Sequence, residues 1–353
     1  SGTALFGTAL PLLLVPARRW MGRTGVIVAG LLLATAPCMV YFSRTVIHEM
    51  YLVFFTTLWV VALASFARRP SVRAAVLAAV GACGCFTNKE TALITAACLG
   101  AGAGLSWLLG RRVPDEGGAV DPDLFSGRGR LAALMAWFEP PFRVARFVGL
   151  FLRSVAGRSP DSRPRLELRE VWVGSDRGSG AWYVGIACFS LGIVLFFTSF
   201  FSFWPGFGRF FEAFALWFEH SEGRNQSKSW TYFWEVMART EGPATWIALA
   251  ACAWAVARRH RFGLALVGWA VSAFAVYSYI PYKTPWCVLN IDLPVFLLCG
   301  WLAGQCMLAA SDFGLPPLVR ALSFLAVLGV ASSSLVLLPR SMEDNVERYD
   351  DNK

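Results

Sequence analysis

The residues able to do chemistry in this chain fall into four groups, each at the edge of an apolar run. Arg44, His48 and Glu49 form the first. On a helix, Arg44 and His48 share a face at i, i+4 spacing, with Glu49 beside them at the mouth of the next run. A carboxylate next to an imidazole is half of a divalent-metal or phosphate-handling site. The second group, Asn88-Lys89-Glu90, interrupts what would otherwise be one long apolar stretch. The run before it, 73–87, is short for a bilayer, so its tip is expected below the membrane surface, where a Lys and a Glu need partners or water. In the third group, Pro281 and Pro285 bracket Lys283 between Tyr279, Tyr282 and Trp286. Proline fixes the backbone, and an ammonium held rigidly at a membrane face suits a lipid phosphate.

The fourth group is the segment 204–242. Phe211, Phe214, Trp217 and Phe218 recur at helical spacing, followed by His220, Arg224, Asn225, Gln226 and Lys228, then Trp230, Tyr232, Phe233 and Trp234. An aromatic helix followed by a polar elbow could roof a cavity, and aromatic faces with amides suit sugars. Each group also has a plainer reading: a solvated loop with an Arg–Glu pair, a hairpin tip whose lysine snorkels, an interface-anchored turn, a structural interfacial segment. The residues alone leave both readings open. Other chemistries are excluded. No G-x-S-x-G, Walker A or strand-to-helix G-x-G-x-x-G is present, and His48-Glu49 continues as Met50-Tyr51-Leu52, not as a zinc-protease helix. Asp292 is the lone acidic residue inside an apolar run, fewer than a proton-coupled transporter usually carries.

The elements that must position these groups are membrane spans. The chain is 56% hydrophobic and 16% charged, and the charge sits in short islands between apolar runs. The runs 1–16, 24–42, 50–67, 73–87, 90–109, 181–203, 243–258, 262–280, 286–308 and 318–338 are each read as a transmembrane helix. The fold class is therefore an all-α polytopic membrane protein. The loops alternate. Arg18, Arg19 and Arg23, then Arg68, Arg69 and Arg73, then Arg111 and Arg112, then Arg258, Arg259 and Arg261, then Arg320 mark one side, which the positive-inside rule makes cytoplasmic. All four polar groups lie on the other side. The net charge of +9 follows from this topology, so no nucleic-acid partner is expected. The nine cysteines lie in or beside apolar runs and read as packing residues.

Organisation follows from the runs. Residues 1–109 are N-terminal membrane helices, and 110–180 a cytoplasmic segment with a Gly/Pro/Asp-rich linker and a basic amphipathic interfacial helix over 131–155. Residues 181–338 are C-terminal membrane helices carrying the exterior segment 204–242, and 339–353 an exterior tail. The chain opens at Ser1-Gly2-Thr3-Ala4 directly into an apolar run, without a basic leader, and reads as N-terminally truncated.

Ser43-Arg44, His48-Glu49 and Leu52–Phe55, then Thr87–Glu90, the block Gln226–Glu241 with Trp230–Phe233, and Tyr279–Trp286 together resemble the GT-C superfamily of integral-membrane, polyprenyl-phosphate-sugar-dependent glycosyltransferases. That superfamily includes protein O-mannosyltransferases and the aminoarabinose transferase of lipid A. The likeness runs from about residue 24 to 310 and is greatest to the flippase-activity-associated branch known from archaeal N-glycosylation and found also in bacteria. It implies a GT-C-like bundle of about ten transmembrane helices in this chain. It implies a dolichyl- or undecaprenyl-phosphate sugar donor bound in a membrane-level cavity facing the exterior or periplasm, in the plasma (inner) membrane. The acceptor would be a glycolipid, polysaccharide or protein. Inversion at the anomeric carbon would expel lipid phosphate toward basic residues. By position, Glu49 is the supporting catalytic carboxylate of the second exterior loop. Arg44, His48, Lys89, Glu90, His220, Arg224, Tyr282 and Lys283 are the substrate- and phosphate-binding set. His48 and Glu49 are the expected ligands of a divalent metal such as Mg or Mn. The principal carboxylate of the family lies between its first two helices, ahead of the point at which this chain begins. The branch's name suggests an alternative, non-enzymatic translocation of lipid-linked sugars, against which the clustering of polar groups on one side argues.

Overall fold

A computed structural model describes residues 2–110, 179–221, 228–281, 283–312 and 329. The run 318–338, the amphipathic stretch 131–155 and the tail 339–353 lie outside the described residues, Gly329 apart. Every regular element described is a helix, and there is no strand among the described residues. In chain order they are α1 (Gly2–Ala9), a 3-10 segment (Leu10–Ala17), α2 (Arg18–Thr35), α3 (Pro37–Arg44), α4 (His48–Arg68), α5 (Val72–Asn88) and α6 (Ala92–Leu109). Then come α7 (Ser179–Phe197), α8 (Pro205–Ser221), α9 (Tyr232–Thr240), α10 (Gly242–Arg258), α11 (Arg261–Tyr279), a 3-10 turn (Pro285–Cys287) and α12 (Val288–Asp312). Five helical stretches are long and apolar enough to cross a membrane: His48–Arg68, Ala92–Leu109, Gly180–Phe197, Arg261–Tyr279 and Pro285–Ala309. The chain is an integral membrane protein.

Two predicted spans take a different form. The run 24–42 is not one helix: it breaks at Ala36–Pro37, and α3 departs from the preceding helix by 51°. Proline pushes the residue before it to an extended conformation, and Ala36 sits at ψ 134°, so α2 must stop there while Pro37 starts α3 as its first residue. The run 1–16 is α-helical only to Ala9. Pro11 and Pro16 remove amide donors from the following turns, which close as a 3-10 helix. The arginine island around residue 20 is helical except at Gly22, whose φ of 70° reverses the chain so that α2 runs back along the 3-10 segment.

Contacts divide the chain into two units: residues 1–61, 81–111 and 193–353, and residues 62–80 and 112–192. In the smaller, Val72, Ala75 and Ala181 pack with Phe66, Val76 and Val184. The larger holds all the candidate chemistry. Its most buried helix is α12, with Leu289, Phe296, Leu298 and Trp301 inaccessible to solvent.

Backbone contact holds this unit together. A Cβ placed on Gly25 of α2 would fall 2.6 Å from the carbonyl oxygen of Gly300 on α12. A Cβ on Gly268 of α11 would fall 2.7 Å from the Cα of Gly102 on α6. Lipid supplies no hydrophobic drive for helices to associate, so close van der Waals approach between small residues does that work. One end of the unit gathers the arginine side: Trp20 stacks on Phe262 at 6.0 Å, and His260 caps α11 by accepting from the Gly263 amide and lies against Trp301 at 5.1 Å. The other end carries Glu49.

Replacing Gly102 or Gly268 by Leu drives a side chain into backbone, which cannot yield as a flexible side chain can. Each is expected to destabilise by about 2–3 kcal/mol or more. Gly100→Leu, two residues away on the same helix with open space around it, is expected to be near neutral. Thermal unfolding in nanodiscs measures the contrast, and equal melting points for Gly100→Leu and Gly102→Leu would remove the packing account.

Candidate functional site

Arg44 closes α3, Thr45 is extended at ψ 147°, and His48 opens α4. The chain between them is not helical, so Arg44 and His48 do not share a helix face as their spacing predicts; both are exposed. Starting α4 at His48 puts Glu49 in its first turn, where the helix dipole favours a carboxylate.

Glu49 is 2% exposed, and its carboxylate accepts from the Lys89 ammonium at the tip between α5 and α6. Beside the pair, Asn88 Nδ2 donates to the His48 carbonyl at 2.8 Å, so the α5 end and the α4 start are tied twice. Lys89 keeps 20% of its side-chain surface, and Glu90 is half-buried next to it. Burial pushes the Lys89 ammonium below the ordinary lysine range, while the Cys287 sulfur and Glu90 push it back up. The partner of Lys89 is thus the carboxylate in the first turn of α4.

The third group meets the second through Cys287, which lies within electrostatic reach of Lys89 and 3.1 Å from the Thr284 hydroxyl. Lys283 is not presented outward as its bracketing prolines suggest. It is 3% exposed, and its Nζ donates to the carbonyls of Ile280 at 2.7 Å and Lys228 at 3.2 Å. That second bond ties the 280–287 loop to the segment 204–242. Lys228 in turn lies over the Tyr232 ring at 4.5 Å, and Phe233 packs edge-on against Tyr277 at 6.3 Å. At the other end of the segment, Phe210 and Phe214 of α8 contact Phe86 of α5 at 6.5 and 6.3 Å. The side chain of His220, and Arg224 and Tyr282 altogether, lie outside the described residues.

A cavity of about 190 Å³ opens beside the first turn of α4, lined by Leu10, Pro11, Leu33, Met39, Val40 and Met50, with Thr8 and Ser43 as its polar atoms. A metal ion at His48 and Glu49 does not fit this arrangement. The Glu49 carboxylate is already engaged by an ammonium, His48 is exposed, and among the described residues no third His, Cys, Asp or Glu joins them in a ligand group.

Sequence reasoning missed a second polar centre in the same unit, formed by Cys38, Glu241 and Asp292. Asp292 is conspicuous as an acid inside an apolar run, but its partner is a cysteine 254 positions away that reads as packing.

The Glu49–Lys89 pair predicts a coupled stability effect. Glu49→Gln strands an ammonium, and Lys89→Met strands a carboxylate. Each is expected to cost roughly 1–3 kcal/mol, below the range for a fully buried pair because Lys89 keeps some solvent. The double variant leaves no stranded charge and recovers most of the loss. Unfolding free energies of the four proteins measure the coupling, and simple additivity would break the pairing.

No protein-family model matches this chain, and no curated protein matches it. Among solved structures it is similar to the crystal structure of ArnT from Cupriavidus metallidurans in the apo state, at 18% sequence identity and a TM-score of 0.45. The similarity covers 98% of this chain and 58% of that one, so the chain spans a little over half the length of that protein.

Proposed function

We propose that this chain belongs to a GT-C-type membrane glycosyltransferase that moves a sugar from a polyprenyl-phosphate donor to an acceptor at the end of the bundle carrying Glu49. The observation that carries the reading is the convergence there of the motifs that resemble that superfamily. Glu49 binds Lys89, Cys287 lies within electrostatic range of Lys89, and Lys283 binds the Lys228 carbonyl. Residues from four separated stretches of chain thus stand around one end of one unit, with an apolar cavity next to them.

In this reading Lys89 meets the leaving lipid phosphate. Lys89 keeps a fifth of its side-chain surface, whereas Glu49 behind it is closed to solvent. Charge that develops on the phosphate as the glycosidic bond breaks is stabilised by a fixed ammonium in a poorly hydrated site. Glu49 holds that ammonium in place and so acts as a positioning residue. Exposed Arg44 adds positive charge for the phosphate, and exposed His48, at the start of α4 beside Glu49, offers it a hydrogen-bonding ring nitrogen. Lys283 fixes the 280–287 loop against the segment that carries Lys228. Glu90, His220, Arg224 and Tyr282 belong, in the same reading, to the substrate- and phosphate-binding set. The acceptor class (glycolipid, polysaccharide or protein) is left to the assay.

The reading places Glu49 and its neighbours on the non-cytoplasmic face. Cysteines introduced at the exposed positions Val46 and Tyr279, in a Cys306→Ser background, are expected to react with an impermeant maleimide from outside, and a cysteine at Arg259 only after permeabilisation. Labelling of Val46 and Tyr279 from opposite faces would undo the topology.

The deciding experiment is turnover of radiolabelled polyprenyl-phosphate sugars by the full-length protein in liposomes. Transfer predicts release of lipid phosphate with the label in a second product. Lys89→Met is expected to lower turnover about 100-fold per folded molecule. The Glu49→Gln/Lys89→Met double variant is expected to regain stability but not activity. No turnover, with label crossing the bilayer, would replace the transferase by a translocation protein.

A further inference from the structure

The second polar centre has a geometry of its own. Pro37 starts α3 and leaves the Cys38 amide without an acceptor in its own helix. Glu241, between α9 and α10, supplies one: Cys38 N–H donates to Glu241 Oε1 at 3.1 Å, across 203 positions of sequence. The Cys38 thiol lies 3.1 Å from Asp292 Oδ2 on α12. The Cys38 sulfur and one oxygen of each carboxyl group fall within 4.8 Å of one another. All three residues are closed to solvent, at 0, 1 and 0% exposure for Cys38, Glu241 and Asp292.

Two atoms are left over. Glu241 Oε2 and Asp292 Oδ1 are buried with no hydrogen-bond partner. Among the described residues neither carboxyl group is paired with a lysine, arginine or histidine, the one salt bridge being Glu49–Lys89. Two resolutions are open to two carboxyl groups and a thiol enclosed together. Protons can neutralise them, but each acid O–H then needs an acceptor, and as placed Glu241 Oε2 and Asp292 Oδ1 have no hydrogen-bond partner. Alternatively a divalent cation can replace the protons. A thiolate and two carboxylates carry three negative charges; the ion removes two, and the N-terminus of α3 pointing at Glu241 offsets part of the third.

We propose that Cys38 Sγ, one oxygen of Glu241 and one oxygen of Asp292 bind a divalent ion of the zinc type. Sulfur in the ligand set selects a borderline-soft ion over Mg or Ca. Three protein ligands leave a fourth tetrahedral position for a further small donor. Binding expels the Cys38 proton, and any held by the carboxyl groups, to bulk water. The ion joins α3, the α9–α10 junction and α12 from inside the core, with Cys299 of α12 adding a sulfur-to-carbonyl contact to Ala244 at 3.2 Å nearby. This site is separate from Glu49 and Lys89, and the inference does not depend on the proposed transferase activity.

The test is metal content. Full-length protein purified without chelator from zinc-replete cells is expected to hold one zinc per chain, retained through dialysis against EDTA and released on unfolding. Protein from cobalt-supplemented cells should show a near-ultraviolet thiolate-to-cobalt charge-transfer band. Cys38→Ser should abolish the band, and Asp292→Asn should lose the stoichiometric ion. Glu241→Gln keeps an acceptor for the Cys38 amide, so it serves as a milder variant if Asp292→Asn does not fold. Wild-type protein with neither stoichiometric zinc nor the cobalt band would overturn the proposal and leave a proton-sharing cluster. Unchanged metal content in Cys38→Ser and Glu241→Gln would overturn it by placing the ion elsewhere.

Discussion

A charge enclosed in a membrane protein has no water to fall back on, so its partner must come from the chain itself. Most of what is specific at the Glu49 end of this molecule follows from that constraint. Lys89 sits at the hairpin tip after α5, and the carboxylate it pairs with comes from the first turn of α4. Among the described residues Lys283 meets no carboxylate and is held by two backbone carbonyls, a weaker arrangement that nevertheless ties two distant stretches of chain. The Cys38 centre is where protein groups alone do not close the account, since two carboxyl oxygens remain without donors. The three solutions differ in how much they depend on something outside the chain.

These partners meet because the helices beneath them approach to backbone contact. Gly25 against Gly300 sets α2, and with it α3 and Cys38, beside α12 and Asp292. Gly102 against Gly268 sets α6 beside α11, and α6 begins just after Lys89. A bulkier residue at either crossing would displace the helix ends by more than a hydrogen bond tolerates, so small residues far from the polar groups control their geometry. Packing and chemistry are coupled here through rigid helices, not through contact.

The spans were readable because a membrane demands about 20 apolar residues per crossing, and that demand leaves a signal in a single sequence. The need of Lys89 for a partner was readable for the same reason. The identity of the partner was not, because nothing in the sequence gives the distance between two hairpin tips. The i, i+4 pairing of Arg44 with His48 failed at Thr45, where the chain is extended; spacing has meaning only inside a continuous helix. The break at Pro37 was written in the sequence, but a proline inside an apolar run reads equally as a kinked helix. Cys38 with Glu241 and Asp292 left no local trace at all. One of the three looks like packing, one like a loop acid, and only Asp292 is conspicuous.

The asymmetry of the Glu49–Lys89 pair bears on how the proposed reaction would turn over. The lysine side chain keeps some exposed surface and the glutamate keeps almost none. A phosphate arriving at Lys89 would share the ammonium with Glu49, without displacing it, and would feel the carboxylate behind it as a like charge. Binding of the donor phosphate is thereby weakened by the same group that holds the lysine in position. Weak ground-state binding is no loss, because only stabilisation that grows as the sugar leaves raises the rate. The phosphate gains charge as the bond breaks, so its attraction to the ammonium grows at that moment; the repulsion from Glu49 grows with it but acts over a longer distance, so the net attraction still rises. A lysine without such a partner would hold the expelled lipid phosphate more firmly, and a buried carboxylate behind it eases release of that product.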